Sequence, residues 1–214
     1  IKALDFNEWL ALSGEAGAGG ALKLSTVDLR IGELRVFERR FADIVLKAAQ
    51  QTGVLQANVN ARDMEGTLMW RGQGKGQLMV RLRRLNLPAA EAGAAAAVSV
   101  PETRTPELPA LDVGVDELQI AGRTLGQLGL VATPQQADWR IDRLVLVTPE
   151  SQLNIDGVWQ SWLTQPRMQA NVRLEVKDIG GLLSRLGYPE GVRRGTAKLE
   201  GNLAWAGSPQ RLDY

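Results

Sequence analysis

Apolar and polar residues alternate with a period of two along most of this chain, and that alternation constrains the fold more than any other feature of the sequence. It runs through residues 27–31, 55–62, 78–83 and 168–177. Successive side chains of a β-strand point to opposite faces of the sheet, so each stretch predicts a strand with one apolar and one water-facing side, as in many antiparallel sheets. The apolar phase shifts by one residue at Gly32, which predicts a β-bulge there.

Helical patterns are scarce. Residues 5–12 and 178–187 each begin with an aspartate in a capping position and continue with apolar residues on one helical face. Residues 89–109 begin with an alanine-rich stretch and end in three prolines, which predicts a flexible loop at one rim of the sheet. We therefore predict a mainly β fold with two short helices.

Parts of the sequence repeat. Residues 27–36 align without a gap with residues 111–120, and residues 65–72 resemble residues 200–207 through a shared Glu-Gly-x-Leu-x-Trp pattern. A shorter copy lies at 156–159. We interpret these segments as strand-packing patterns and the chain as a recurring multi-strand unit.

The composition excludes several kinds of site. The chain has no histidine and no cysteine, so it has no imidazole base for a nucleophile, no zinc site of the usual kind and no disulfide. A two-carboxylate hydrolase stays chemically possible, but Asp28 and Glu33 recur in the repeat as Asp112 and Glu117, and a catalytic pair is not expected once per repeat. We expect no enzymatic activity, no catalytic residue, no metal site and no cofactor.

Charge and length exclude further classes. With 25 Lys+Arg against 24 Asp+Glu, the chain lacks the basic excess of a nucleic-acid-binding domain. It contains no run of about 18 apolar residues, so it is not predicted to span a membrane as given. It starts at Ile1 without a signal peptide and ends at Tyr214 shortly after a predicted strand, so we expect an internal fragment of a longer protein.

Two motifs have a simple structural interpretation. The run of glycines over 72–76 lies between two predicted strands, which favours a hairpin over a phosphate-binding loop before a helix. Arg81, Arg83 and Arg84, together with residues 193–194, form basic clusters. We interpret them as solvated outer faces, with contact to anionic headgroups as the alternative.

The chain resembles the AsmA-like superfamily, and specifically its YhdP branch. The resemblance rests on strand-packing motifs, is closest over residues 108–207 and extends more loosely over 1–88 through the repeat. The motifs are Leu108 to Asp112, Glu117 to Gly126, Trp139-Arg140-Ile141, Gly157-Val158-Trp159, Val176 to Leu183, Leu186-Gly187-Tyr188, and Gly195 to Gly207.

This resemblance implies a periplasmic protein of Gram-negative bacteria that is anchored in the inner membrane by parts outside this chain. Repeated antiparallel β units would form a long, curved and twisted sheet with an open hydrophobic groove, along which phospholipids move towards the outer membrane. It implies a monomeric bridge whose ligand is phospholipid and not nucleic acid. On this basis we predict a first β-groove repeat with a short N-terminal helix over 1–88, a flexible loop over 89–109, and a second repeat over 110–214. The second repeat would contain the helix near 178–187 and the start of a further repeat.

The alternating pattern predicts which side chains line the groove. A sheet with one apolar face and few helices has to leave that face partly open or cover it with a second sheet, and a large open apolar face usually binds something. The predicted lining residues are the in-phase apolar residues Leu29, Ile31, Leu34, Val36, Leu55, Val59, Leu68, Leu78, Val80, Leu82, Val113, Val115, Leu118, Ile120, Ile141, Leu144, Leu146, Val172, Leu174 and Val176.

Two functions fit these observations. The first is a segment of a bridge that conducts phospholipid acyl chains along the groove. The second is a structural or interaction module of the bacterial envelope, such as a closed sandwich or scaffold that binds other proteins through its edge strands without conducting lipid.

Overall fold

β-strands joined edge to edge in one sheet make up most of the structure. The computed structural model describes residues 3–5, 26–36, 39–51, 53–87, 108–160, 166–188 and 194–206. These residues form one twelve-stranded sheet, open and curved, in which spatial order follows chain order. The strands are β1 (Ala3–Asp5), β2 (Thr26–Val36), β3 (Arg39–Gln51), β4 (Val54–Asn60), β5 (Met64–Arg71), β6 (Gln77–Leu87), β7 (Ala110–Ile120), β8 (Arg123–Gln135), β9 (Asp138–Val147), β10 (Ser151–Gln160), β11 (Arg167–Val176) and β12 (Ala197–Ala206).

Almost all neighbouring strands are antiparallel. The exceptions are β1 with β2 and β6 with β7, which pair in parallel. In the second parallel pair Gln77 lies beside Ala110 and Leu87 beside Ile120, so Leu87 and Ala110 are at opposite ends of the sheet. The sheet therefore continues without a break across the predicted 89–109 loop, of which residues 89–107 lie outside the described residues.

The helix predicted near 178–187 is confirmed. Helix α1 spans Ile179–Leu186, follows Asp178 and ends at Gly187, whose φ of 96° and backbone N–H bonds to the carbonyls of Leu183 and Ser184 make a left-handed C-cap. The Asp178 side chain makes no capping hydrogen bond. For the helix predicted over 5–12, Asp5 is the last residue of strand β1, and residues 6–12 lie outside the described residues.

The bulge predicted at Gly32 is wrong. Ile31 pairs with Ile44 and Glu33 with Ala42, so the register of β2 and β3 is the same on both sides of Gly32 and no residue is inserted. The residue opposite, Asp43, instead has a left-handed φ of 55°. Both strands therefore change phase together, and a one-strand sequence pattern cannot distinguish that from a bulge.

True register shifts occur at other glycines. The pairing of β5 with β6 shifts between Glu65 and Gly66, and that of β10 with β9 shifts between Ile155 and Gly157. A Cβ on Gly66 would lie 2.1 Å from the carbonyl oxygen of Arg81 on the neighbouring strand, so no other residue fits this close approach. Bulges of this kind bend a strand and increase its local twist, which contributes to the curvature of the sheet.

The repeat found in the sequence recurs in the pairing register. Strands β4 and β5 pair in the same way as β11 and β12, and the inner-face residue pairs of the first hairpin have apolar counterparts in the second. A three-residue connection joins the first two strands, whereas the second connection contains α1. The corresponding pairs are Leu55–Trp70 with Met168–Trp205, Ala57–Leu68 with Ala170–Leu203, and Val59–Gly66 with Val172–Gly201.

Candidate functional site: the inner apolar face

Most of the strongly apolar residues of the sheet fall on one side, which we call the inner face. One row of paired residues on this face crosses eleven consecutive strands, from β2 to β12, and contains no polar residue. Partners in a β-sheet share a face, so this row is continuous. It consists of Leu29, Leu46, Val59, Gly66, Leu82, Val115, Leu128, Leu146, Leu153, Leu174 and Leu199.

The structure brings the predicted lining residues together on the inner face. Their pairing places eighteen of the twenty in this row or in the parallel rows beside it. Leu34 and Val36 belong to β2, where they pair with Phe41 and Arg39, and their side chains lie outside the description. The lipid-lining role of these residues remains a prediction, since their placement identifies a shared face and not a ligand.

The predicted lining residues include none from four strands of this face, β3, β8, β10 and β12, although the Glu-Gly-x-Leu-x-Trp pattern marks β12 as a strand. Ile44, Leu46 and Ala48 of β3 lie on this face. Strand β3 was missed because the phase change at Asp43 interrupts its alternation. Strands β8 and β10 were missed because an apolar residue also stands on their outer face, Val131 in β8 and Val158 in β10. Regular spacing at Ile44, Leu46 and Ala48 was the signal that would have identified β3.

Burial on the inner face is deep although the described residues contain no second layer. Ile44 is 1% exposed and Met168 is 1% exposed. The described structure consists of one sheet and helix α1, which contacts β8. Many side chains of the inner face pack against one another in two apolar clusters, one around Ile44 and one around Met168.

Two hydrogen bonds report the curvature of the sheet. Lys75 Nζ, in the turn between β5 and β6, donates to the carbonyl oxygen of Gln136 in the turn between β8 and β9, at 2.5 Å. In a flat sheet these turns would be about 14 Å apart, because three strand spacings separate them. Trp139 Nε1 of β9 donates to the carbonyl oxygen of Pro109, just before β7, at 3.1 Å. The strand ends on this side are thus drawn together.

The two rims of the inner face differ in chemistry. At the end marked by the turns 72–76 and 136–137, four tryptophans occupy the position next to a strand end, in β5, β9, β10 and β12; we call this end the aromatic rim. Trp139 pairs with Trp159, which pairs with Met168, which pairs with Trp205. Trp70 pairs with Leu55 and Leu78 in the next row.

The opposite end, which we call the helix rim, is held by a charged contact. Arg185 of α1 makes a two-pronged bond to Glu150 in the turn between β9 and β10, at 2.7 and 2.8 Å, and also donates to the carbonyl of Thr124. Arg123 donates to the carbonyl of Leu186. The hydrogen bond from Arg185 holds the pKa of Glu150 below its ordinary value despite partial burial. These contacts fix α1 against the strand ends.

The outer face carries the charges. Arg81 pairs with Asp112 at 2.8 Å, and Arg83 with Glu65 at 2.5 Å. The hydrogen bond from Arg83 lowers the pKa of Glu65. The basic cluster of β6 is therefore engaged with neighbouring strands and solvent. Further pairs join β11 to β12, Arg173 with Glu200 at 2.9 Å and Lys198 with Glu175 at 3.3 Å.

Other candidate features take simple places. Residues 72–76 form the hairpin between β5 and β6, as predicted, with the Gly76 N–H donating to the carbonyl of Gln73. Among the described residues, no three acidic side chains converge as ligands for a metal ion. In the same part of the chain, no helix has the length and apolar character needed to cross a bilayer. Over the residues that the structure describes, the central row of the inner face offers apolar contact alone.

Comparison with known proteins identifies a family for this chain. The model of the family described as YhdP protein matches residues 1–214. No curated protein and no solved structure matches the chain. The family match covers the whole sequence, and the chain belongs to the YhdP family.

Proposed function

We propose that this chain is a segment of an inner-membrane-anchored periplasmic bridge, which carries phospholipid acyl chains along its concave inner face towards the outer membrane. The observation that carries the proposal is the unbroken apolar row over eleven strands. At about 4.8 Å per strand it extends for roughly 48 Å across the sheet. Membership of the YhdP family supports a lipid-transport role of this kind.

The chemistry of the two faces fits this use. Acyl chains need only a continuous apolar wall, and the inner face offers one whose central row has no polar residue. A concave wall lets several side chains contact each chain, and each buried methylene contributes about 0.8 kcal/mol. The ion pairs of the outer face keep the other side of the sheet in water. No charged residue stands in the central row of the described strands, so lipids remain free to move along it.

The cellular setting is part of the proposal. We place the segment in the periplasm of a Gram-negative bacterium as a monomeric bridge, with contacts to both membranes made by parts outside this chain. Phospholipid is its ligand, and no step requires a cofactor or an enzyme activity.

One observation favours the second candidate, an interaction module. On β12, Leu199 is 58% exposed and Leu203 is 45% exposed, and none of the described strands pairs with its far edge. An open edge with exposed apolar side chains can add a strand from another segment or protein. In this case the apolar face would be a packing surface and would carry no lipid.

Mass spectrometry of the chain purified without detergent from bacterial cells separates the two candidates. We expect phospholipid to co-purify at a defined stoichiometry and to be lost when the inner face receives a charge. A folded chain, with the circular dichroism of a β-sheet, that carries no phospholipid and takes up none from vesicles would contradict lipid carriage and favour the interaction module.

A further inference from the structure

The aromatic rim has the composition of a membrane interface. Indole rings are large and apolar but carry one N–H donor, and tryptophan therefore concentrates where hydrocarbon meets headgroups. Trp70, Trp159 and Trp205 are each partly exposed at this rim, while Trp139 packs beneath them. The helix rim has no tryptophan among the described residues.

Three cations that have no acidic partner among the described residues stand at the strand ends of the aromatic rim, and two of them, Arg71 and Arg167, occupy outer-face positions. Arg71 donates to the side-chain oxygen of Gln77 and Lys75 to the carbonyl of Gln136, both of them uncharged acceptors. Arg167, at the start of β11, has no ion-pair or hydrogen-bond partner among the described residues. Together with Asp138 at the start of β9, these three cations leave a net positive charge at this rim, which can attract a phosphate group.

At the helix rim, the cation of α1 is already bound to an acid. Arg185 is bound to the carboxylate of Glu150, and Asp178 follows directly on Lys177. Helix α1 covers part of this rim through its contact with β8. A phosphate group beside Arg185 would also meet the carboxylate of Glu150, which repels it.

The inner face is long enough along the strands to hold an acyl chain. From Trp159 to Ser151 is eight residues, or about 26 Å at about 3.3 Å per residue. One leaflet of a bilayer contributes about half of a hydrocarbon thickness of about 30 Å. A chain that begins at the aromatic rim therefore ends on apolar residues before it reaches the helix rim.

From these observations we infer that each phospholipid lies on the inner face parallel to the strands and in one orientation. Its phosphodiester headgroup is at the aromatic rim, and its acyl chains extend along the strands towards α1. The inference rests on the proposed function, since it describes how the inner face holds the lipid. It makes the aromatic rim the open side of the groove, where headgroups meet water, and the helix rim the closed side.

Fluorescence quenching by nitroxide-labelled phosphatidylglycerol tests the orientation. In a variant with Trp9→Phe and Trp162→Phe, the fluorescence comes from the four tryptophans of the aromatic rim. One lipid carries its nitroxide on the headgroup and the other at the methyl end of an acyl chain. The two labels are about 15 Å apart in depth, so we expect the headgroup label to quench about twofold more strongly.

A reporter at the other rim supplies the control. The chain has no cysteine, so Ala197→Cys introduces a unique site for a fluorophore at the exposed start of β12, opposite Val176. Here we expect the reverse order, with the chain-end label quenching more strongly. If the same label quenched more strongly at both rims, the orientation would be overturned and lipid binding would remain. The same holds if the chain-end label quenched more strongly at the aromatic rim and the headgroup label at the helix rim. Absence of quenching at both rims would contradict lipid binding itself, and the proposed function with it.

Discussion

Replacement of Gly66 by alanine tests whether the close approach of β5 and β6 determines the stability of the sheet. The added Cβ would lie 2.1 Å from the Arg81 carbonyl oxygen, 2.7 Å from the Cα of Leu82 and 2.9 Å from its Cδ2. Two of these atoms belong to the backbone and cannot rotate away. The two strands would have to move apart by about 1 Å, which breaks the local pairing.

The expected loss follows from two contributions. Overpacking in a fitted site costs about 1–3 kcal/mol. A broken or stretched backbone hydrogen bond adds about 1 kcal/mol. We therefore expect Gly66→Ala to lower the free energy of unfolding by about 2–4 kcal/mol.

The repeat provides a matched control at Gly201. It occupies the same place in the β11–β12 hairpin as Gly66 in the β4–β5 hairpin, but a Cβ there would meet nothing within 4 Å. Gly201→Ala should leave stability unchanged or raise it by up to about 1 kcal/mol, because alanine loses less backbone entropy in a strand. The two variants thus separate the effect of the neighbouring strand from that of the glycine itself.

Urea denaturation followed by tryptophan fluorescence gives the stabilities. Hydrogen exchange provides a local measurement, since the amides of β5 and β6 should lose protection in Gly66→Ala before those of β8 and β9 do. Equal losses in Gly66→Ala and Gly201→Ala would refute the reasoning, as would an unchanged stability of Gly66→Ala.

Two further predictions concern the inner face and the helix rim. Leu174→Asp places a charge on the central apolar row at a partly exposed site, so the full-length protein carrying it should fail to complement cells lacking the protein, whereas Gln169→Asp on the outer face of the same strand should complement. Normal growth with Leu174→Asp would contradict a lipid path over this row. The pKa of Glu150 is lowered by Arg185, so the stabilisation it provides is present above its unfolded pKa of about 4.3 and is lost as the pH falls through the lower folded value. The difference in urea midpoint between wild type and Glu150→Gln should accordingly be large at pH 7 and vanish in acid, and a difference independent of pH would exclude this origin.

The strand pattern and the family could be predicted from the sequence, because alternation depends on residues adjacent in the chain. It identified the inner face most clearly where the outer residues are polar, as in β11 and over residues 55–60 of β4. It failed in β8, where Val131 on the outer face obscures the period, and at Gly32, where two strands change phase together. The pattern within one strand carries no information about its partner strand. It therefore could not distinguish a bulge in β2 from a phase change that β2 and β3 make together.

The curvature of the sheet and the difference between its rims also lay beyond the sequence. The contact of Lys75 with Gln136 joins turns 61 residues apart, and nothing near either residue in the chain indicates it. The four tryptophans of the aromatic rim are scattered over β5, β9, β10 and β12. Only the register of the strands brings them to one end, and register depends on turn lengths and on the parallel pair β6–β7.

The most direct test of the central claim, that the inner face holds acyl chains, is photo-crosslinking from adjacent residues of one strand. Leu199 on the inner face and Glu200 on the outer face of β12 are both exposed, so each tolerates replacement by a photoreactive phenylalanine analogue. After irradiation of cells that express the full-length protein, mass spectrometry should find a phospholipid adduct at position 199 and none at position 200. Equal labelling at both positions, or no adduct at position 199, would contradict the claim.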